Sequence, residues 1–361
     1  MKIGFDAKRY YHNQTGLGNY SRTLVSGLQR LYPDNDYILY DEGAFSRTFR
    51  LLGKAAADGC DIFHGLSNEI PMALTVGNST ALPYTIVTMH DIAWLTFPEM
   101  YKPIDRKIYD WKYGRSCQKA DKVIAISEST KRDVMRFYGV PESRIEVIYQ
   151  PVQQYYYEPL EATEADRLID DHFHGTLPKD SYILYVGSIN SRKNLLAAVK
   201  ALALLPAERR PLLLIIGNGH EYRRRVEEYI HTEHLESYTR IETGIHNNRL
   251  LQALYQRARA FVYPSFYEGF GLPVVEAALQ QTPVITTTVS SLPEAAGPDA
   301  CLIDPHDKDS AALIAHHLDR LLCDDALRRS VGQQMEAYAR RMFTPDTLTK
   351  QIMELYAICQ K

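Results

Sequence analysis

Short apolar runs alternate with longer amphipathic stretches along nearly all of the 361 residues. The runs at 2–7, 37–41, 61–65, 84–91, 122–127 and 145–150 read as strands, and so do those at 182–188, 211–219, 239–244, 260–265, 283–287 and 300–305. Helical spacing fills 18–31 and 105–119 in the first half. A further helix is expected after Ser127, which can act as an N-cap, with Gly139 as its stop. In the second half, helices are expected at 194–204, 220–232, 247–257, 273–280 and 308–323, with a helical tail from 325. Near-continuous apolar strands separated by helices predict parallel sheets covered on both faces. The alternation pauses over 151–180, a polar stretch that reads as a connection between two domains. The fold class expected is therefore α/β, with two doubly wound, Rossmann-like parallel-sheet domains facing across a cleft. Ligands of such sheets bind beyond the carboxyl ends of the strands.

Composition narrows the picture. Charged residues are 24% and hydrophobic residues 45%, the balance of a globular protein. The net charge of −3 gives no electrostatic reason to expect nucleic acid as a partner. The five cysteines include no C-x-x-C pair and are odd in number, which fits reduced thiols in a cytoplasmic protein better than a disulfide framework or zinc site. No long apolar run follows the first residues and none elsewhere reaches membrane-spanning length, so neither a leader nor a span is expected.

Five loops carry candidate chemistry. Gly187 and Ser188 follow the strand 182–186, and Arg192 and Lys193 stand where the next helix is expected, a combination suited to a diphosphate or equally readable as a basic solvated loop. Gly217 and Gly219 form G-x-G after a strand, but Tyr222 occupies the third glycine position of the dinucleotide fingerprint, so a plain turn and a ligand contact stay open. In "YEGFGLPVVEA", Glu268 lies in a loop, Gly269 and Gly271 strip it of side chains, and Pro273 starts a helix whose first turn is expected to hold Glu276. Eight helical steps would separate the two glutamates by ~12 Å. A hydrolase dyad needs about 5–5.5 Å or about 6.5–9.5 Å, so spacing discourages that role. His90 and Asp91 close the strand 84–91, as either structural residues or cleft residues. Gly16 and Gly18 follow the first strand and could bring backbone close to a phosphate or sugar. "DND" at 34–36 reads as a turn at the amino end of a strand rather than a metal element, and no other metal-ligand spacing occurs.

In order, the segments "TGLGNYSR", "MHDIAWLTFPEMY", "VIAISESTKRDV", "RIEVIYQPV", "YILYVGSINSRKN", "FVYPSFYEGFGLPVVEA" and "SSLPEAAGPDACLIDP" resemble the retaining GT-B glycosyltransferases of family 4, mannosyltransferases above all, across nearly the whole chain. The resemblance implies an acceptor-side domain at 1–170 and a nucleotide-sugar domain at 171–343, with a helix at 344–361 crossing back to the first. It implies that Arg192 and Lys193 hold the donor phosphates and stabilise the leaving diphosphate. Glu276 would bind the ribose and Glu268 would lie beside the donor sugar. Gly187, Ser188, Gly269, Phe270, Gly271 and Leu272 would line the donor, Gly18 the phosphates and acceptor, and His90 the transferred sugar, with Asp91 beside it. The implied donor is GDP-mannose, or alternatively a UDP-sugar. The implied acceptor is a saccharide or lipid-linked saccharide of cell-surface polymer synthesis. No metal or other cofactor is expected.

Two rival readings are a nicotinamide dehydrogenase, which the incomplete fingerprint disfavours, and a non-catalytic sugar-nucleotide-binding protein. Residues 45–54 and 102–122 mix basic with aromatic and aliphatic residues. They read either as peripheral contacts with an anionic membrane or as solvated faces whose lysine and arginine stems lie along apolar neighbours.

Overall fold

A computed structural model describes residues 1–13, 16–72, 81–245 and 247–359. Gln14 and Thr15 of the first glycine segment, and the last two residues of the expected 344–361 helix, lie outside the described residues. Two compact units form, Met1–Gln153 with Phe343–Lys361, and Gln154–Met342.

In the first unit, β1 (Lys2–Asp6), β2 (Asp36–Tyr40), β3 (Ile62–Gly65), β4 (Tyr84–Met89), β5 (Lys122–Ala125) and β6 (Ile145–Val147) pair in the order β2-β1-β3-β4-β5-β6. In the second, β7 (Tyr182–Val186), β8 (Leu212–Ile216), β9 (Thr239–Glu242), β10 (Ala260–Tyr263), β11 (Val284–Thr287) and β12 (Cys301–Ile303) pair in the order β12-β11-β10-β7-β8-β9. Every pairing is parallel. The strand order reverses direction between β1 and β3 in one sheet and between β7 and β10 in the other. Loops leaving neighbouring strands diverge at such points and open a crevice at the carboxyl edge. The inner strands β3, β10 and β11 are buried at every residue, whereas the edge strand β9 is only partly covered, as helices on both faces of a finite sheet require.

Local signals account for well-marked helices. Ser127 accepts a hydrogen bond from the Thr130 amide at 3.0 Å, and Gly139 closes the helix Glu128–Tyr138 at φ 62°. Three expectations need correction. The stretch 151–180 is not irregular throughout: it holds the helix Ala162–Phe173, which packs on Asn248–Arg257. The division between units falls at 153/154 rather than 170/171, because the tyrosine-rich segment is tied to the second unit. There Gln252 donates to the Tyr155 and Glu158 carbonyls at 3.0 and 2.8 Å, Gln280 to Tyr156 at 2.7 Å, and Arg340 to Tyr157 at 2.9 Å. The tail from 325 breaks into Asp325–Met342 and Pro345–Cys359, with Phe343 buried at the join.

The last helix, Pro345–Cys359, belongs to the first unit and packs on Gly16–Leu31. Leu348, Ile352 and Tyr356 enter the core with Phe5, Leu24 and Ile86. A buried polar chain passes through that core. Tyr20 Oη meets Thr88 Oγ1 at 3.0 Å, His64 Nε2 meets the same Oγ1 at 2.7 Å, and His64 Nδ1 meets Tyr356 Oη at 2.5 Å. Burial, reinforced by nearby His90, depresses the His64 pKa from 6.5 to about 3, so the ring is neutral. Tyr356→Phe deletes one partner of a buried ring nitrogen and is expected to cost about 1–3 kcal/mol. Urea unfolding of the variant measures that loss. The depressed pKa makes the contribution of His64 to stability greatest above pH 6.5, and that contribution is lost progressively as pH falls from 6.5 toward 3. A His64→Gln variant is expected to show a flatter acid limb in the same assay.

Candidate active site

The loop after β7 leaves the switch point through Gly187, at φ 156°. A Cβ there would sit 3.2 Å from Lys193 Cδ. The turn Ser191–Lys193 is a single 3-10 turn, capped by Asn190, whose Oδ1 accepts from the Lys193 amide at 3.1 Å. Arg192 and Lys193 therefore lie just ahead of the helix Leu195–Leu204 rather than in its first turn, separated from it by Asn194 at φ 52°. Ser188 is exposed; its carbonyl accepts from Tyr185 Oη at 3.2 Å and its Oγ from Asn190 Nδ2 at 2.9 Å. Packing alone requires both glycines of G-x-G. A Cβ on Gly217 would lie 1.9 Å from the Gly187 carbonyl oxygen, and one on Gly219 would lie 2.1 Å from that of Ile189. These glycines let two loops run backbone against backbone, an arrangement fixed by the Ile189 amide donating to the Asn218 carbonyl at 2.7 Å. Tyr222, at the third glycine position, accepts from the Leu196 amide at 3.2 Å.

The loop after β10 meets this one. Lys193 Nζ lies 2.8 Å from Glu268 Oε1, and Arg192 Nη1 lies 3.1 Å from Glu268 Oε2. Lys193 Nζ also donates to Tyr263 Oη and stands 4.8 Å from that ring's centroid, while Arg192 donates to the Tyr267 carbonyl. Burial alone would raise the Glu268 pKa. Lys193 and Arg192 outweigh it and bring the value from 4.5 to about 2. The loop is pinned from below by the segment after β11. Ser290 Oγ accepts from the Glu268 amide at 3.0 Å, and Ser291 Oγ donates to the Glu268 and Phe270 carbonyls at 2.8 Å each. Phe270 is 2% exposed, so its ring serves the core. Gly271, at φ 107°, ends the loop, and Leu272 begins the helix Leu272–Leu279.

Glu276 is the fifth residue of that helix, so it lies past the first turn in which it was expected. It is partly buried, and Tyr255 Oη donates to its Oε2 at 3.0 Å. Burial raises its pKa from 4.5 to about 7, with the Tyr255 and Tyr156 hydroxyls opposing the rise. The two glutamates thus have separate partners and opposite electrostatics. One is an anion between cations, ionised down to about pH 2; the other is a carboxyl among tyrosines with its pKa raised to about 7.

The first unit carries its own residues at the carboxyl edge. Gly18 is inside the helix Gly16–Leu31, not in an open loop: a Cβ there would come within 1.8 Å of the Asn13 carbonyl oxygen, so close packing on 8–13 demands glycine. His90 is buried, and its Nε2 meets the Leu66 carbonyl oxygen at 2.9 Å. A carbonyl only accepts, so this contact assigns the proton to Nε2. Burial and the Arg9 charge hold the His90 pKa down at about 4, against the Leu66 contact, which raises it. Asp91 Oδ1 accepts from the Ala93 amide at 3.2 Å, turning the chain into Ala93–Thr96. Sequence reading missed a buried ion network here. Arg47 meets Asp6 at 2.6 Å and Glu69 at 2.8 Å, and Lys112 meets Glu69 at 2.6 Å. It also missed Tyr263, Tyr255 and Ser291. Tyr263 and Ser291 stand within the quoted motifs, but nothing in residue spacing names their partners. "DND" is the expected turn, with Asn35 Oδ1 accepting from the chain's amino group at 2.9 Å. Among the described residues no group of three or more His, Cys, Asp or Glu is arranged to hold a metal.

Residues 13–153 match the family described as Glycosyltransferase Family 4, and residues 167–340 match Glycosyl transferases group 1. The chain is 32% identical over 302 residues to the O-antigen chain mannosyltransferase B of Escherichia coli, covering 82% of this chain and 74% of that one. It is 30% identical over 275 residues to the serotype-specific mannosyltransferase WbdA of Escherichia coli, and spans 32% of that protein's length. The solved structure of HepE from Anabaena with UDP-glucose superposes with a TM-score of 0.72 at 17% identity, covering 99% of both chains.

The electrostatic contrast predicts two distinct titrations by carboxyl carbon NMR. Glu276 is expected to titrate near pH 7, and higher in Tyr255→Phe, which removes a hydrogen bond to the ionised form. Glu268 is expected to stay ionised to about pH 2 and to move up sharply in Lys193→Met.

Proposed function

The chain belongs to glycosyltransferase family 4, and on that footing we propose that it transfers mannose from GDP-mannose to a saccharide or lipid-linked saccharide acceptor, with retention of configuration. The observation that carries the reading is the convergence of Arg192 and Lys193 on one carboxylate at the β7/β10 switch point, beside the glycine-bared loops 187–188 and 269–271. Mannose as the sugar is supported by the two mannosyltransferase relatives. A UDP-sugar is the second reading, favoured by the likeness in fold to HepE with its UDP-glucose.

The geometry suits charge separation. Cleavage of the bond from anomeric carbon to phosphate leaves negative charge on the diphosphate, and in this proposal Arg192 and Lys193 stabilise it. Glu268 makes a poor base or nucleophile, since each of its oxygens already faces a cation and its pKa is held at about 2. In this proposal the acceptor hydroxyl attacks from the face that the diphosphate leaves, and a phosphate oxygen takes its proton. Glu276 accepts from ribose hydroxyls. The diphosphate charge is met by side chains, so the proposal assigns no step to a metal.

A panel of nucleotide sugars assayed for slow hydrolysis tests the donor. GDP-mannose is expected to be turned over fastest; preference for a UDP-sugar selects the second reading, and hydrolysis of none overturns catalysis. Lys193→Ala is expected to lower kcat by about 100-fold or more with little change in acceptor KM, in the range seen when a transition-state charge loses its partner. Chelator is expected to leave the rate unchanged. If Glu276 must be ionised to accept from the ribose, donor KM falls as pH rises through 7, and Glu276→Gln removes that dependence.

A further inference from the structure

Lys193 carries charge that the proposed reaction needs, yet a lysine ammonium rides on a flexible four-carbon stem. The second unit supplies a slot for that stem. At Gly187 an added Cβ would stand 3.2 Å from Lys193 Cδ, 3.5 Å from Tyr263 Cε2 and 3.6 Å from Tyr185 Oη, so the stem, the loop backbone and two tyrosines meet at one point. Tyr263 is the last residue of β10 and is fully buried. The two-residue period of the strand puts its ring on the same face as that of Phe261, and the two stack at 5.6 Å with planes 20° apart. Tyr185 packs on the same ring at 6.1 Å. The backbone is fixed as well, with the Tyr263 carbonyl accepting from Thr286 Oγ1 at 2.7 Å. A ring held this way has little freedom of its own. Lys193 Nζ meets it twice, at the hydroxyl oxygen and at 4.8 Å from the ring centroid.

We propose that Tyr263 is a positioning residue of the transfer reaction, holding the Lys193 ammonium where the leaving diphosphate meets it. The inference rests on the transfer reading and adds to it a residue that acts through Lys193 rather than on the donor. An ammonium only donates, so the phenol oxygen accepts from Lys193. Burial, with the Glu268 charge adding to it, keeps the Tyr263 pKa well above 10, and the hydroxyl stays neutral. Neutrality suits the role. Glu268 also holds Lys193, at 2.8 Å, but a carboxylate cancels charge as it anchors. A phenol fixes the ammonium and leaves its charge to act on the diphosphate, in the manner of a preorganised site. Without the hydroxyl, the anionic anchor Glu268 takes a larger share of the ammonium.

Calorimetry with GDP and GMP (UDP and UMP on the second donor reading), together with donor hydrolysis, tests the role in the full chain. Tyr263→Phe keeps the ring and removes the hydroxyl. It is expected to weaken nucleoside diphosphate binding about fivefold, with little change for the monophosphate, and to lower kcat for hydrolysis about tenfold. Action through Lys193 has its own signature: in a Lys193→Met background, Tyr263→Phe is expected to change neither quantity further. Tyr182→Phe is the comparison, because that buried hydroxyl donates to the Leu254 carbonyl at 2.7 Å in the same unit. It is expected to lower stability in urea and to leave diphosphate affinity and kcat as in the parent. A fluorotyrosine at position 263 keeps ring and hydroxyl but weakens the oxygen as an acceptor. It is expected to lose affinity in the same direction by less, and it stands in if the phenylalanine variant does not fold. The proposal is overturned by parent-like diphosphate affinity in Tyr263→Phe, by equal losses for diphosphate and monophosphate, or by the same loss in the Lys193→Met background. A parent that hydrolyses no nucleotide sugar defeats the transfer reading, and the diphosphate–monophosphate comparison still reads the hold on Lys193.

Discussion

The second unit's site depends on a buried carboxylate that has to be neutralised. Glu268 is 8% exposed, and an ion of its size cannot sit there unpaired without a penalty of several kcal/mol. Lys193 and Arg192 meet it from the loop after β7, while Glu268 itself comes from the loop after β10. One carboxylate therefore ties together the two loops that flank the switch point. Two cations against one anion leave a positive charge, and in the proposed reaction that surplus faces the donor diphosphate. Tyr263 beneath Lys193 and the serines beneath the 268–270 backbone limit how far either loop can drift.

Glycine supplies the second condition. Gly217 and Gly219 are packed against the carbonyls of Gly187 and Ile189, so the β8 loop buttresses the β7 loop at backbone distance. Gly18 makes the equivalent close approach in the first unit, against Asn13. In both places a glycine that looks like a ligand contact in the sequence is first a packing requirement. In the second unit the fixed backbone is that of the loop carrying Arg192 and Lys193.

The inner strands of the described residues were legible as apolar runs, because parallel strands covered on both faces must be apolar on both sides, whereas the edge strand β9 is mostly polar and was legible only from its place in the alternation. The helix Glu128–Tyr138 was legible from its cap and its stop. The helix Ala162–Phe173 was not, since it is largely polar and only one face meets the second unit. The boundary between units was misjudged for a related reason: backbone carbonyls hold 155–158, and their partners Gln252, Gln280 and Arg340 lie far along the chain. Arg192, Lys193, Glu268 and Glu276 could be singled out by residue type at strand ends. Their pairing could not, because positions 193 and 268 are brought together only by the sheet order. Arg47 illustrates the same limit from the other side, as an apparent surface cation that is committed to Asp6 and Glu69 in the interior.

The central claim is that Glu268 neutralises only part of the charge of Arg192 and Lys193, so that a donor diphosphate shares the two cations with it. Calorimetric binding of GDP and GMP to the parent and to Glu268→Gln tests it most directly. Removing the buried anion is predicted to tighten GDP binding at least about fivefold, ~1 kcal/mol, as expected for deleting a like charge near the phosphates, with a smaller change for GMP. Weaker GDP binding in a correctly folded Glu268→Gln protein, or equal shifts for both nucleotides, would contradict the account.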